Sequence, residues 1–408
     1  MATASRSDAV NRSAAKTTQW LPVFLLFFSG CTAALHIGKI PAALPGLTDQ
    51  LQLTLTQSGL IVSLYALMIA TLGCLLGLLV RQFGYVAFAM TGLGLVAVGS
   101  LLGSMSTSLH WLLPTRVLEG LGWIMSAIAF PPMLTALAAP RDRLLVLGIW
   151  GGFVPLGAGA MLIAAPWLQH IGGWQLSWQV AGAASLLALL TVWKVTRETN
   201  TDLQSPKDGG GVFAKKEFKK PEIWLYSFCF FAYSCQFVGV TAFLPTLFID
   251  TSNWSLANTS RVVALVVLSN VLGNVVAGYL LRRGFRSTSL LILGAAVMGI
   301  SALIVFTEAF SMTTRIAAAF MLTAFGGLVP GTLFASVPRV TNNPWAIGLL
   351  NGIMLQFSGI GQLAGGVLVP GVVESFHSWQ AGGVFCLLIA AAGCLAAALI
   401  PRFQVSER

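Results

Sequence analysis

Apolar runs of about 20 residues, parted by short polar breaks, dominate the chain. A run of that length crosses a bilayer as an α-helix, because ~20 residues rising about 1.5 Å each match a hydrocarbon core of about 30 Å. The pattern predicts twelve such spans, at 19–47, 56–80, 85–106, 110–138, 144–168, 174–196, 221–249, 259–281, 288–307, 312–338, 345–371 and 378–401. A membrane barrel would instead need alternating pieces of ~10 residues, and the runs do not have that form. The first run follows a polar segment carrying Arg6, Arg12 and Lys16, and many more runs come after it, so it reads as a first transmembrane helix and not as a cleaved signal. One connection is long and polar. It holds Lys207, Lys215, Lys216, Lys219 and Lys220 with Gly209-Gly210-Gly211, the composition of a flexible linker. The expected organisation is a tail (1–18), a six-helix bundle (19–196), the linker (197–220), a second six-helix bundle (221–401) and a short tail (402–408).

Composition agrees with this pattern. Of 408 residues, 56% are hydrophobic and 9% are charged, whereas soluble domains carry about 25% charged residues. The chain is therefore expected to be an all-α integral membrane protein. The six cysteines (Cys31, Cys74, Cys229, Cys235, Cys386 and Cys394) all lie in apolar runs without metal-ligand spacing, and read as small core residues.

The net charge of +10 is better explained by topology than by nucleic-acid binding. With the N-terminus inside, 19 of the 23 lysines and arginines fall in cytoplasmic pieces, leaving Lys39, Arg116, Arg261 and Arg315. Asp49, Asp250, Glu308 and Glu374 fall in the opposite loops. The positive-inside rule then places both termini in the cytoplasm of a bacterial-type inner membrane.

The two halves also repeat each other. Leu44-Pro45 recurs as Leu244-Pro245, and Gly77-Leu-Leu-Val-Arg81 as Gly278-Tyr-Leu-Leu-Arg282. Thr115-Arg116 and Pro131 recur as Thr314-Arg315 and Pro330, Gly148 and Gly152 as Gly348 and Gly352, and Ser177-Trp178-Gln179 as Ser378-Trp379-Gln380. Every offset is 199 to 201 residues, and the matches fall in order. Two six-helix halves in the same orientation form a parallel repeat.

On these residues the chain resembles the major facilitator superfamily over nearly its whole length. Arg116-Val-Leu-Glu-Gly120-Leu-Gly122 is similar to the family's R-x-x-x-G-x-G motif. Gly148-Ile-Trp-Gly-Gly152-Phe-Val-Pro155-Leu-Gly157-Ala-Gly159 resembles the glycine-rich motif of its antiporters, with valine where glycine usually precedes the proline. Gly77-Leu-Leu-Val-Arg81-Gln-Phe-Gly84 resembles its loop between spans two and three, but Arg81 and Gln82 stand where an aspartate and a basic residue are expected. In the family that aspartate helps to latch the halves together on the cytoplasmic side, so the latch lacks its acid at this position. The stretch from His36 to Pro45 is similar to the first span of cyanate-permease-like bacterial members. The resemblance implies a secondary transporter with alternating access, and no enzyme.

The candidate chemistry is a few polar residues inside apolar runs. His36 and Lys39 share a face of span one, followed by Pro41 and Pro45, which tend to kink a helix. Charges at membrane depth normally face the bundle interior, although Lys39 has the length to snorkel to the headgroups and His36 is equally readable as a satisfied core histidine. At an offset of 200, the repeat places Gln236 and Gly239 opposite them. Arg116 and Glu119 share a face of span four; they read either as a local ion pair or as a cation beside a proton-carrying carboxylate. Arg315 either reaches the cavity or snorkels to the surface. Tyr65, Gln236, Asn270, Asn274, Asn351 and Gln356 are neutral candidates for substrate contact, though helix–helix hydrogen bonding also accounts for such residues. Trp123, Trp150 and Phe357 read as ligand-packing or core aromatics, and Trp167, Trp174 and Trp178 as an interfacial belt.

Substrate is expected to be held by Lys39 with Arg116 or Arg315, with His36 beside them; with Glu119 these candidates sum to a positive charge, and a positively lined, low-dielectric cavity favours an anion. The expected function is transport of a small organic anion by a monomer in the bilayer, coupled to protons through Glu119 or His36. The alternative is a proton-antiport exporter of drugs or metabolites. No P-loop, nucleophile elbow or metal motif is present in the sequence, and no cofactor is expected.

Overall fold

A computed structural model describes residues 17–199, 203, 219–245, 247–248, 256–341 and 344–404. Arg6, Arg12, Lys16, Lys207, Lys215, Lys216, Asp250 and Arg408, with most of the expected linker and both tail ends, lie outside the described residues. Among the described residues thirteen helices run in order: α1 (Trp20–Leu51), α2 (Leu55–Phe83), α3 (Tyr85–Ser104), α4 (Leu109–Leu137), α5 (Arg143–Gly151), α6 (Phe153–Glu198), α7 (Pro221–Thr241), α8 (Leu256–Arg282), α9 (Ser287–Phe306), α10 (Met312–Gly326), α11 (Leu328–Val340), α12 (Pro344–Phe376) and α13 (Trp379–Gln404). The chain is an all-α membrane protein.

Eleven stretches among the described residues are long and apolar enough to cross a membrane. One of them, Arg143–Glu198, is 56 residues long. At about 1.5 Å per residue it would measure about 84 Å, far more than one bilayer. It is broken at Gly172 (φ −144°, ψ 28°) and Gly173 (φ 66°, ψ −174°), where the backbone leaves helical geometry. Gly173 adopts a positive φ that only glycine takes freely. The break turns one stretch into two spans, so the described residues hold twelve. Spans five and six are therefore α5 with the first part of α6, and the remainder of α6. Span ten is α10 with α11, and span eleven is α12.

Local signals explain several boundaries. Thr54 and Gln57 form a reciprocal capping box that starts α2, and the Ser311 hydroxyl caps α10. Pro221 opens α7 at a position where its missing N–H costs nothing. α1 stays helical to Leu51, past both Pro41 and Pro45.

The two halves meet along two pairs of helix faces, α2 with α12, and α5 with α8 and α11. Small residues set the approach. A Cβ on Gly352 would lie 2.9 Å from Gly77 Cα, and one on Gly278 would lie 3.0 Å from Gly148 Cα. The glycines that the internal repeat pairs in sequence thus face each other crosswise in space. These contacts lie toward the end of the bundle where α1 and α7 begin.

An acid closes that same end. Asp142, between α4 and α5, is buried, with its side chain 5% exposed. Its Oδ1 takes Arg282 of the other half at 3.1 Å, and its Oδ2 takes Arg141 at 3.6 Å and the Thr18 hydroxyl at 2.5 Å. The last turn of α2 presents Arg81 where an acid was expected, and Asp142 supplies an acidic tie between the halves from the loop between α4 and α5. Arg282 is 40% exposed, so the pair is partly screened. Asp142→Asn is expected to cost about 1–2 kcal/mol, read as a lower melting temperature of the detergent-purified protein. Unchanged melting in both Asp142→Asn and Arg282→Gln would remove this tie from the account.

Candidate functional site

Five of the residues singled out in sequence come together inside the N-terminal half. His36 and Lys39 on α1 point toward α3, α4 and the second part of α6, and all of Lys39 is buried. Lys39 therefore does not snorkel to the surface. Its Nζ donates to Glu119 Oε1 at 2.5 Å, to Ser100 Oγ at 2.7 Å and to His36 Nδ1 at 3.0 Å. These are all three ammonium donors. The ammonium also sits 4.4 Å from the Trp178 ring centroid, a cation–π contact.

The hydrogen-bond directions continue outward from there. Because His36 Nδ1 accepts from Lys39, the ring hydrogen is assigned to Nε2, which donates to Ser185 Oγ at 3.0 Å. Ser185 donates in turn to Ala181 O at 3.0 Å, and Ser100 donates to Trp178 O at 2.7 Å.

Glu119 is bracketed by two cations. One oxygen takes Lys39, and the other takes Arg116 Nη1 one turn earlier on the same helix. Both readings of the Arg116–Glu119 spacing thus share one geometry, an intrahelical pair that is also half of a buried network. The Arg116 guanidinium lies over the Tyr65 ring, 5.7 Å from its centroid. Lys39 and Arg116 against Glu119 leave one positive charge in the cluster.

The remaining candidates lie elsewhere. Arg315 is buried, and its Nε donates to Val305 O at 2.7 Å, which ties the start of α10 to the end of α9. It neither snorkels nor adds its charge to the Lys39 cluster. Asn270 donates to Tyr233 Oη at 3.2 Å and Thr323 O at 2.9 Å, joining α8 to α7 and α10. Asn274 donates to Asn270 O and Oδ1, both at 2.9 Å. Gln236 donates to Ala232 O of its own helix at 3.0 Å. Gln356 accepts the Cys74 backbone N–H at 3.0 Å across the halves. Asn351 is buried with neither amide atom partnered among the described residues.

Several residues that matter here were not singled out for this role. Trp174 and Trp178 were expected in an interfacial belt, yet they are 3% and 0% exposed. The break at Gly172–Gly173 turns this stretch inward, where Trp174 Nε1 donates to Gln50 Oε1 at 2.7 Å and Trp178 roofs Lys39. Trp167, at 65% exposed, does lie on the outer surface. Ser100 and Ser185 had no sequence signal, since a lone serine in an apolar run is ordinary. All six cysteines are unpaired, four of them buried, in keeping with small core residues. No group of His, Cys, Asp and Glu suited to a metal exists among the described residues.

Comparison with known proteins places this geometry in context. The family model of the Major Facilitator Superfamily matches residues 24–346. A hexuronate transporter of Bacillus subtilis (strain 168) is 22% identical over 392 residues, 90% of each chain. The methyl viologen resistance protein SmvA of Salmonella typhimurium is 28% identical over 157 residues, 37% of this chain and 31% of that one. Among solved structures, the human organic anion transporter MFSD10 (TETRAN) superposes with a TM-score of 0.75 at 14% identity, over 93% of this chain and 98% of that one. The fucose:proton symporter FucP of E. coli superposes with a TM-score of 0.73 at 15% identity, over 93% and 98% of the two chains.

Proposed function

Because this chain belongs to the major facilitator superfamily, and so is a membrane transporter and not an enzyme, we propose that it carries a small organic anion of the sugar-acid kind by alternating access. The observation that carries this reading is the buried surplus of one positive charge, Lys39 and Arg116 against Glu119. Fixed positive charge in a low-dielectric bundle favours an anion. Similarity to a hexuronate transporter along 90% of both chains supports the same substrate class.

The halves rock about their shared faces, and the tie through Asp142 and the crossed glycines holds one end shut. Protons drive the cycle through Glu119, with His36 and Lys39 as the adjoining proton-bearing groups. Both termini lie in the cytoplasm of the inner membrane, and the unit is a monomer built from bundles 19–196 and 221–401.

The test is uptake by proteoliposomes of radiolabelled D-glucuronate and D-galacturonate under an imposed proton gradient. Accumulation of either, abolished by a protonophore, is expected. The exporter reading draws on the shorter match to the methyl viologen resistance protein and on the glycine-rich span five. Proton-driven movement of methyl viologen with no uronate transport would establish it in place of the anion reading.

A further inference from the structure

The two cations of the buried cluster differ in what they have left to give. Lys39 spends all three donors on Glu119, Ser100 and His36. Arg116 gives only Nη1 to Glu119, and its Nε has no partner although the residue is 1% exposed. Two further orphaned atoms lie along the rings that continue from Arg116. Tyr65, whose ring lies beneath the guanidinium, has an unpartnered hydroxyl and is 6% exposed. Trp123, edge-on to Tyr65 at 5.4 Å, has an unpartnered Nε1 and is 3% exposed.

An unsatisfied buried polar atom costs about 1–3 kcal/mol, so three on one continuous strip call for a reason. Each of the three offers an N–H or O–H. An arginine fork beside two such donors suits a ligand made of acceptors: a carboxylate on the guanidinium, and further oxygens on the phenol and the indole. The ring faces of Tyr65 and Trp123 supply apolar surface for the carbon skeleton of the same ligand.

The geometry points to Arg116, Tyr65 and Trp123 as the carboxylate subsite of an oxygen-rich monocarboxylate, with Lys39 acting on Glu119 and not on the ligand. This assignment rests on the anion reading above and narrows it: the substrate anion is held by span two and span four, not by the lysine of span one. A carboxylate arriving on Arg116 also competes for the cation that now holds Glu119 Oε2. Binding of substrate and release of one arm of Glu119 are then a single event.

Calorimetric titration of detergent-purified protein with sodium D-glucuronate, and with D-glucose as the uncharged control, tests the subsite. Wild type is expected to bind glucuronate at least about tenfold more tightly than glucose. Tyr65→Phe and Trp123→Phe, which each keep an aromatic face and remove one donor, are each expected to weaken glucuronate binding by roughly five- to tenfold. Arg116→Lys, which keeps a cation for Glu119 and removes the fork, is expected to weaken it more than thirtyfold. Lys39→Met, which removes the surplus charge but leaves the fork and both ring donors, is expected to weaken glucuronate binding less than Arg116→Lys does. Glucuronate binding that is unchanged in Tyr65→Phe and Trp123→Phe, or lost in Lys39→Met alone, overturns the subsite and leaves the anion reading standing. Failure of wild type to bind any carboxylate, with methyl viologen bound instead, overturns both. Should Arg116→Lys not fold, the two ring variants decide the matter.

Discussion

Glu119→Gln is expected to destabilise the protein more than Lys39→Met, although the lysine is the residue with more partners. Glu119 is in contact with two buried cations, Lys39 and Arg116. Its neutralisation leaves both without a counter-charge in a low-dielectric setting, a loss of about 3–5 kcal/mol. Lys39→Met leaves the Arg116–Glu119 pair intact and gives up the hydrogen bonds to Glu119, Ser100 and His36, about 1–3 kcal/mol in all. The double variant removes one charge of each sign and is expected to recover part of the loss seen in Glu119→Gln alone. Thermal unfolding of the purified proteins gives the order directly. If Glu119→Gln melts at or above the temperature of Lys39→Met, the charge accounting within the cluster is wrong. Under the proposed mechanism, Glu119→Gln also loses proton-driven accumulation, and uptake assays read that separately.

Gly352→Val is expected to prevent closure of the end at which α1 and α7 begin. A Cβ there collides with the Gly73 carbonyl and lies 2.9 Å from Gly77 Cα, both on α2 of the opposite half. Neither is the tip of a flexible side chain, so the helices must separate. Overpacking of this kind costs about 1–3 kcal/mol, which shifts a two-state equilibrium roughly 5- to 150-fold. Spin labels at Phe83 and Phe285, exposed residues at that end of the two halves, are expected to show a longer distance distribution than in wild type, with transport reduced to match. Gly278→Val, on the other pair of facing helices and with its Cβ 3.0 Å from Gly148 Cα, is expected to do the same. A distribution like that of wild type, with full transport, would show that the crossed glycines do not set the closure.

Much of the architecture was legible in the sequence. Twelve spans follow from the length of the apolar runs, because the bilayer imposes one length on every helix that crosses it. The structure then puts the break between the fifth and sixth of them at Gly172–Gly173. The parallel repeat was visible through glycine, proline and arginine positions, and the family match along residues 24–346 agrees with it. The candidate site was legible in part. His36, Lys39, Arg116 and Glu119 stood out because charge is rare at membrane depth, and the structure joins all four. Arg315 stood out for the same reason and belongs elsewhere, at the α9–α10 corner.

The sequence by itself therefore determined which segments span, how they repeat, and which residues are too polar for lipid. Only the tertiary structure decided which way each helix is rotated. In a soluble helix, the apolar stripe reveals the buried face. In a membrane helix both faces are apolar, so the pattern does not say whether Lys39 looks between the halves or into its own bundle. Packing settles it, turning Lys39 toward Glu119, 80 positions away, and bringing Trp178 over it from a stretch that looked interfacial. The glycines show the same division. Their spacing revealed the repeat, but only the packed helices bring Gly77 against Gly352 and Gly148 against Gly278.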